Sequence, residues 1–222
     1  MKSNREKRGQ FIIIAVMLIA IMIISIGALM HGAITYYRHE PWEEYSTLIG
    51  DIEVNSQRVV EFFLADYTNS GGGNLNEALS KWQHDLTVIY PSSGIRLTWT
   101  DPSTPTTGSN PTAKVSEFNL DIESIGLKGY KFSITAALSL KVIQDATTTP
   151  NNIVAVVKSE SGEPVTGLRI DNFLINGVSK PTLVVPYYDE ANTLIYRIQF
   201  EEAPIEEVKV TDQRGISAVY FL

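Results

Sequence analysis

The run Phe11–Met30 constrains this chain more than any other part of it. Only Ser25 and Gly27 of its 20 residues fall outside the apolar set, and none is charged. At about 1.5 Å per residue, a helix of that length spans about 30 Å, the thickness of a bilayer's hydrocarbon core. A helix at the surface of a water-soluble domain keeps a polar face, which this run lacks. The expectation is a membrane-spanning helix over residues 10–34, with membrane lipid as its first partner.

The flanks give that helix a direction. Residues 1–9 carry Lys2, Arg5, Lys7 and Arg8 against Glu6, whereas residues 31–222 carry 14 Lys and Arg against 24 Asp and Glu, a net charge of −10. Basic flanks stay in the cytoplasm, which predicts a single-pass protein of the cell membrane with its C-terminal domains outside. The acidic excess disfavours nucleic acid as a partner, because phosphate recognition needs a basic face. With no cysteine in the chain, disulfide frameworks and thiolate metal sites are excluded.

A secretory signal peptide has a shorter apolar core and a small-residue cleavage site at its end. Here the core is longer, and the basic run ends in Lys7-Arg8-Gly9-Gln10 directly before Phe11. That arrangement resembles the class III leader of archaeal type IV pilins and archaellins, over about the first 30 residues. The resemblance implies that Lys7 and Arg8 are the charged recognition pair of a prepilin-type leader peptidase. It makes Gly9 the last leader residue and Gln10 the new N-terminus. The apolar helix would then be retained and would pack with other pilin-like subunits. Ile14 stands where bacterial relatives of the family carry a glutamate, a departure from the bacterial pattern. Ala28 and Gly32, four residues apart, form a small-x-x-x-small pair suited to helix packing.

Past the apolar run, Trp42, Tyr45, Ile49, Ile52, Ser56, Val59 and Phe63 recur at spacings of three and four, the stripe of a continuing helix. Val60, Phe62 and Leu64 add apolar surface near its end, as expected where a helix lies on a sheet. Glycines 71–73 end it. Asn74 caps a shorter helix from Leu75 to Asp85 that carries Leu75, Leu79, Trp82 and Leu86 on one face. Strands are predicted over Leu86–Tyr90 and Ile95–Thr100, flanking a Pro-Ser-Ser-Gly turn. Residues 101–112 hold no apolar side chain and have the composition of a loop. Phe118, Leu120 and Ile122, then Tyr130 through Val142 at every second residue, alternate as strands with one wet face.

The polar stretch 146–152 reads as a domain boundary. Beyond it, short strands are expected at Ile153–Lys158, Leu168–Ile170, Phe173–Ile175, Leu183–Val185, Leu194–Phe200, Glu207–Thr211 and Ile216–Leu222, a density that fits an immunoglobulin-like sandwich. The turns Ser161–Leu168 and Val210–Gly215 resemble those of prokaryotic surface Ig-like repeats.

The expected fold class is thus α+β. A membrane-spanning helix extends into a stalk, a helix packs on an antiparallel meander, and an all-β Ig-like sandwich comes last. The corresponding segments are a basic leader (1–9), the apolar helix (10–34), a helix-plus-sheet domain (35–146) and the sandwich (152–222).

Catalytic chemistry finds no support. The three histidines, His31, His39 and His84, have no partner motif, and nucleophile elbows, phosphate-binding loops and zinc-protease signatures are absent. The acidic pairs Asp189-Glu190, Glu201-Glu202 and Glu206-Glu207 lack the ligand spacing of a calcium loop. The expectation is a non-enzymatic cell-surface structural protein, a pilin-like subunit or minor pilin without cofactor, metal or small-molecule substrate. The alternative is an uncleaved single-pass protein displaying an Ig-like binding module.

Overall fold

The computed structural model describes the backbone of residues 3–144, 152–201 and 205–222, and the side chains of residues 16–31, 45–143, 152–201 and 205–222. The chain divides into two compact units, Met1–Asp51 and Ile52–Leu222.

The first unit is the N-terminal part of helix α1 (Ser3–Ser70). From Val16 to Met30 the large apolar side chains are all more than half exposed, up to 74% at Leu29. Among the described residues, no helix is long and apolar enough to cross a membrane. The membrane-spanning helix expected over 10–34 is therefore withdrawn. So is the single-pass cell-membrane localisation with outward-facing domains that depended on it, in both the pilin-like and the binding-module versions.

In the second unit, the end of α1 buries Ile52, Ser56, Val60, Phe63 and Leu64. Ile52, Ser56 and Val60 are four residues apart, and Phe63 and Leu64 follow Val60 by three and four, which puts the set on one face. Val60 takes the central place that the sequence stripe assigned to Val59, which is only half-buried. Helix α2 (Leu75–Ile89) comes after a tight connection, with the Asn74 side chain accepting from the Asn76 N–H at its start. Gly73 makes that connection possible: its φ is +139°, and a Cβ there would come within 3.0 Å of the Phe63 ring. The helix runs through Thr87-Val88-Ile89, a β-branched run that predicted a strand. The Tyr90 N–H closes the helix on the Leu86 carbonyl at 3.0 Å. Buried Leu75, Leu79 and Leu86 hold that face down, so packing overrides local propensity.

Among the described residues, the rest of the unit holds two short 3-10 turns and nine strands: β1 (Ile95–Pro102), β2 (Thr112–Ile122), β3 (Leu127–Gln144), β4 (Asn152–Ser159), β5 (Phe173–Ile175), β6 (Leu183–Tyr188), β7 (Leu194–Gln199), β8 (Glu207–Thr211) and β9 (Ser217–Phe221). One antiparallel sheet has the order β1-β2-β3-β4-β7-β6, and a second has the order β5-β8-β9. The expected separation into a meander and an Ig-like sandwich is corrected by this topology. β3 is 18 residues long. Its first part pairs with β2, from Leu127 to Ala137, and its second with β4, from Leu138 to Gln144. The hydrogen-bond ladder therefore runs past the polar stretch that suggested a boundary, and strands from both sides of it share one sheet.

That sharing explains the burial of β4, where Ile153 through Val157 are all buried. A central strand covered on both faces loses the alternation of a half-wet one. The two sheets meet where the rings of Phe173 and Tyr196 lie 5.9 Å apart. The supposed linker 101–112 is docked as well. The N–H groups of Leu138 and Leu140 donate to the carbonyls of Pro111 and Ser109, and the Val219 N–H donates to Gly108.

Candidate functional site

The helical hairpin leaves an open groove of about 650 Å³ between α1 and α2. Phe62 is its most exposed large apolar side chain, at 76%. Adjacent helix residues point about 100° apart. With Phe63 buried in the core, Phe62 is therefore turned outward along the groove wall. Val59, Phe63, Ala78 and Trp82 supply the rest of the apolar lining, and charged residues such as Arg58, Asp66 and Asp85 also border it.

Each wall is held by specific contacts. The Trp82 indole N–H donates to the Ser56 hydroxyl at 2.9 Å, and that hydroxyl donates to the Ile52 carbonyl at 2.7 Å. The start of α2 is tied to β1 by the Trp99 indole N–H, which donates to the Asn76 side-chain carbonyl at 2.8 Å. Farther along α2, the Gln83 side-chain carbonyl accepts from the Leu97 N–H at 2.6 Å. β1 is the edge of the six-stranded sheet, so α2 satisfies an edge amide that would otherwise be open to another strand. On the exposed side of α2, Lys81 hydrogen-bonds Glu77 and its charge adds to the effect, holding that carboxyl below its usual range.

The last turns of α1 are fastened to the second sheet. Asn69 donates to the Gly215 carbonyl at 2.9 Å, and the Ser217 N–H donates to Thr68 at 3.1 Å. Arg214 is the hub of this fastening. Its guanidinium reaches Asp212 at 2.9 Å, Glu160 at 2.8 Å, Glu61 of α1 at 3.2 Å and the Ala137 carbonyl of β3 at 3.0 Å. Burial pulls its pKa down, but the hydrogen bonds to Glu160 and Asp212 outweigh that and hold it above its ordinary value. Its contacts all go to structural acceptors, so the cluster is a clamp.

The expected processing residues Lys7, Arg8, Gly9 and Gln10 have side chains outside the described residues, as does Gly32 of the packing pair. Ala28 is exposed. His84 lies exposed on α2. Among the described residues, no group of three or more His, Cys, Asp or Glu could hold a metal ion. Asp189 accepts from the Thr193 N–H in the β6–β7 turn. Sequence reasoning placed Phe62 against the sheet and missed the groove. The available signal was the run Val59-Val60 and Phe62-Phe63-Leu64, because a helix that is apolar over so wide an arc cannot turn all of it to one core.

Comparison with protein-family models, with curated proteins and with solved structures found no match to this chain. The pilin resemblance consequently rests on the N-terminal residues alone, and its two corollaries, a class III leader and an archaeal surface filament, gain no support from any family.

Proposed function

We propose that the chain is a non-enzymatic structural subunit that self-associates through its N-terminal helix, in the manner of a pilin-like protein. One observation carries the reading. The described residues 16–31 are exposed throughout and, His31 aside, offer solvent no ionisable side chain. A contiguous apolar surface of that size marks an interaction site. Helices of several copies can bury it against one another by ordinary ridge-and-groove packing. Residues 52–222 then serve as a head carried by the helix. In this reading a prepilin-type peptidase acts at Lys7-Arg8-Gly9, leaving Gln10 as the N-terminus.

The test compares the wild-type full chain with Ile23→Asp by sedimentation and negative-stain microscopy, together with N-terminal sequencing of protein recovered from its native source. Ordered assemblies for the wild type, dispersal by the substitution and a chain beginning at Gln10 are the expected results. A wild type that stays monomeric at every concentration overturns the assembly reading. Any other N-terminus overturns the processing one.

A further inference from the structure

The second unit contains an apolar groove, and the first contains an apolar helix segment with nothing described on top of it. Their dimensions agree. The α1 wall of the groove runs from Asn55 to Asp66, about 18 Å of helix, while residues 16–31 make about 24 Å. Three turns of one helix can therefore lie along the groove, the arrangement in which anchors at i, i+4, i+7 and i+11 enter a cleft between two others. Within the segment, Ile19, Ile23, Ile26 and Met30 have that spacing with a large apolar side chain at every position, each between 54% and 65% exposed. The segment carries no Asp, Glu, Lys or Arg, so seating it against Val59, Phe62 and Trp82 would bury no charge of its own. Arg58, Asp66, Glu77, Lys81 and Asp85 line the groove together with its apolar residues.

We infer that the groove between α1 and α2 receives residues 16–31 of a second copy of this chain, with Ile19, Ile23, Ile26 and Met30 facing Phe62 and Trp82. The inference rests on the assembly reading above and names the surface on which assembly occurs. The two contacting surfaces differ, so the contact is heterologous: each copy offers a helix to one neighbour and a groove to another. Such a contact propagates into a ring or an open helical array instead of stopping at a two-fold dimer.

The absence of cysteine makes a crosslinking test clean. A full chain carrying Phe62→Cys is mixed with one carrying Ile23→Cys and oxidised mildly, then run on a non-reducing gel. Val178→Cys, on a residue 84% exposed outside the groove, replaces Ile23→Cys in the control. The expected result is a heterodimer linking positions 62 and 23 and little or none linking 62 and 178. Equal linking to both positions, or no 62–23 product from chains that assemble, overturns the inference. Phe62→Asp supplies a second reading, because a side chain so exposed can be replaced without unfolding the head. Lost assembly with an unchanged circular dichroism spectrum supports the groove as the docking surface. Unchanged assembly places the helix elsewhere and overturns the inference, while leaving helix-driven assembly standing. A wild type that never assembles, together with no 62–23 link, overturns both readings.

Discussion

The indole N–H of Trp82 ends on the hydroxyl of Ser56, 2.9 Å away, in a contact that joins α2 to the buried face of α1. Ser56 is fully buried and donates its own proton to the Ile52 carbonyl one turn earlier. The pair thus satisfies a polar group on each helix at the floor of the hairpin. Leaving a buried polar group such as the Ser56 hydroxyl unpaired costs about 1–3 kcal/mol, and less for the half-buried Trp82 indole.

Ser56→Ala strands the Trp82 indole and is expected to destabilise the protein by about 1–2 kcal/mol. Urea titration monitored by tryptophan fluorescence measures it. Trp82→Phe in the Ser56→Ala background should cost less than the two single losses added together, since the orphaned donor is gone. Strict additivity would mean that the contact contributes nothing.

Arg214→Met removes the partner of Asp212, Glu160 and Glu61 at once. The arginine is about a quarter exposed and the Asp212 side chain only 3%, so the loss falls below that of a fully buried pair. The expected cost is about 2–4 kcal/mol. Glu160→Gln keeps a hydrogen-bond acceptor and should cost about 1 kcal/mol or less. Equal thermal denaturation midpoints for Arg214→Met and the wild type would contradict the clamp.

Tyr196 is fully buried and donates its hydroxyl to the Val165 carbonyl at 2.6 Å. Burial pushes its pKa above the ordinary tyrosine value. The folded state therefore favours the protonated phenol, and this contribution is complete below about pH 10 and lost as pH rises through the higher folded value. Glu53, by its charge, raises Tyr130 in the same direction, so alkaline instability has more than one source. Stability measured from pH 8 to 12 should fall less steeply for Tyr196→Phe than for the wild type. At neutral pH the same substitution should cost about 1 kcal/mol through the lost hydrogen bond.

Residues 152–222 produced alone should fail to fold. The cut strips β3 from β4, opening a ladder that pairs Leu140 with Val157 and Val142 with Ala155, and it removes the α1 residues that fasten the β8–β9 hairpin. Circular dichroism and a denaturant titration of this fragment decide the point. A cooperative transition would restore an independent sandwich.

Gly94→Ala tests the α2–β1 turn. Gly94 has φ +59°, and a Cβ there would lie 2.9 Å from the Glu123 Cβ. Backbone strain and crowding together should cost about 1–3 kcal/mol, read from the thermal midpoint.

Much of the local structure was legible. Phe118, Leu120 and Ile122 alternate with polar residues, and these three are buried in β2. The later strands fell close to their expected places because each is short and bounded by turn residues, except Leu168–Ile170, where the chain forms no strand and Ile170–Asn172 is a single 3-10 turn. Asn74 was readable as a cap because its side chain needs only an amide two residues away. The end of α2 was not legible, since Thr87-Val88-Ile89 favour a strand when taken alone. The groove was hidden because it exists only once Gly73 lets α2 fold back beside Phe63.

By itself, the sequence determined most of the helical and strand segments, the apolar character of residues 11–30 and the acidic balance of residues 31–222. These depend on side-chain period and on charges counted along the chain, and both are local. Only the tertiary structure decided that β3 serves two partners, that β4 is covered on both faces, that Arg214 gathers three carboxylates and that Phe62 borders a groove. Each of those joins residues far apart in the chain, and pairing between distant strands leaves no mark on the spacing within either one.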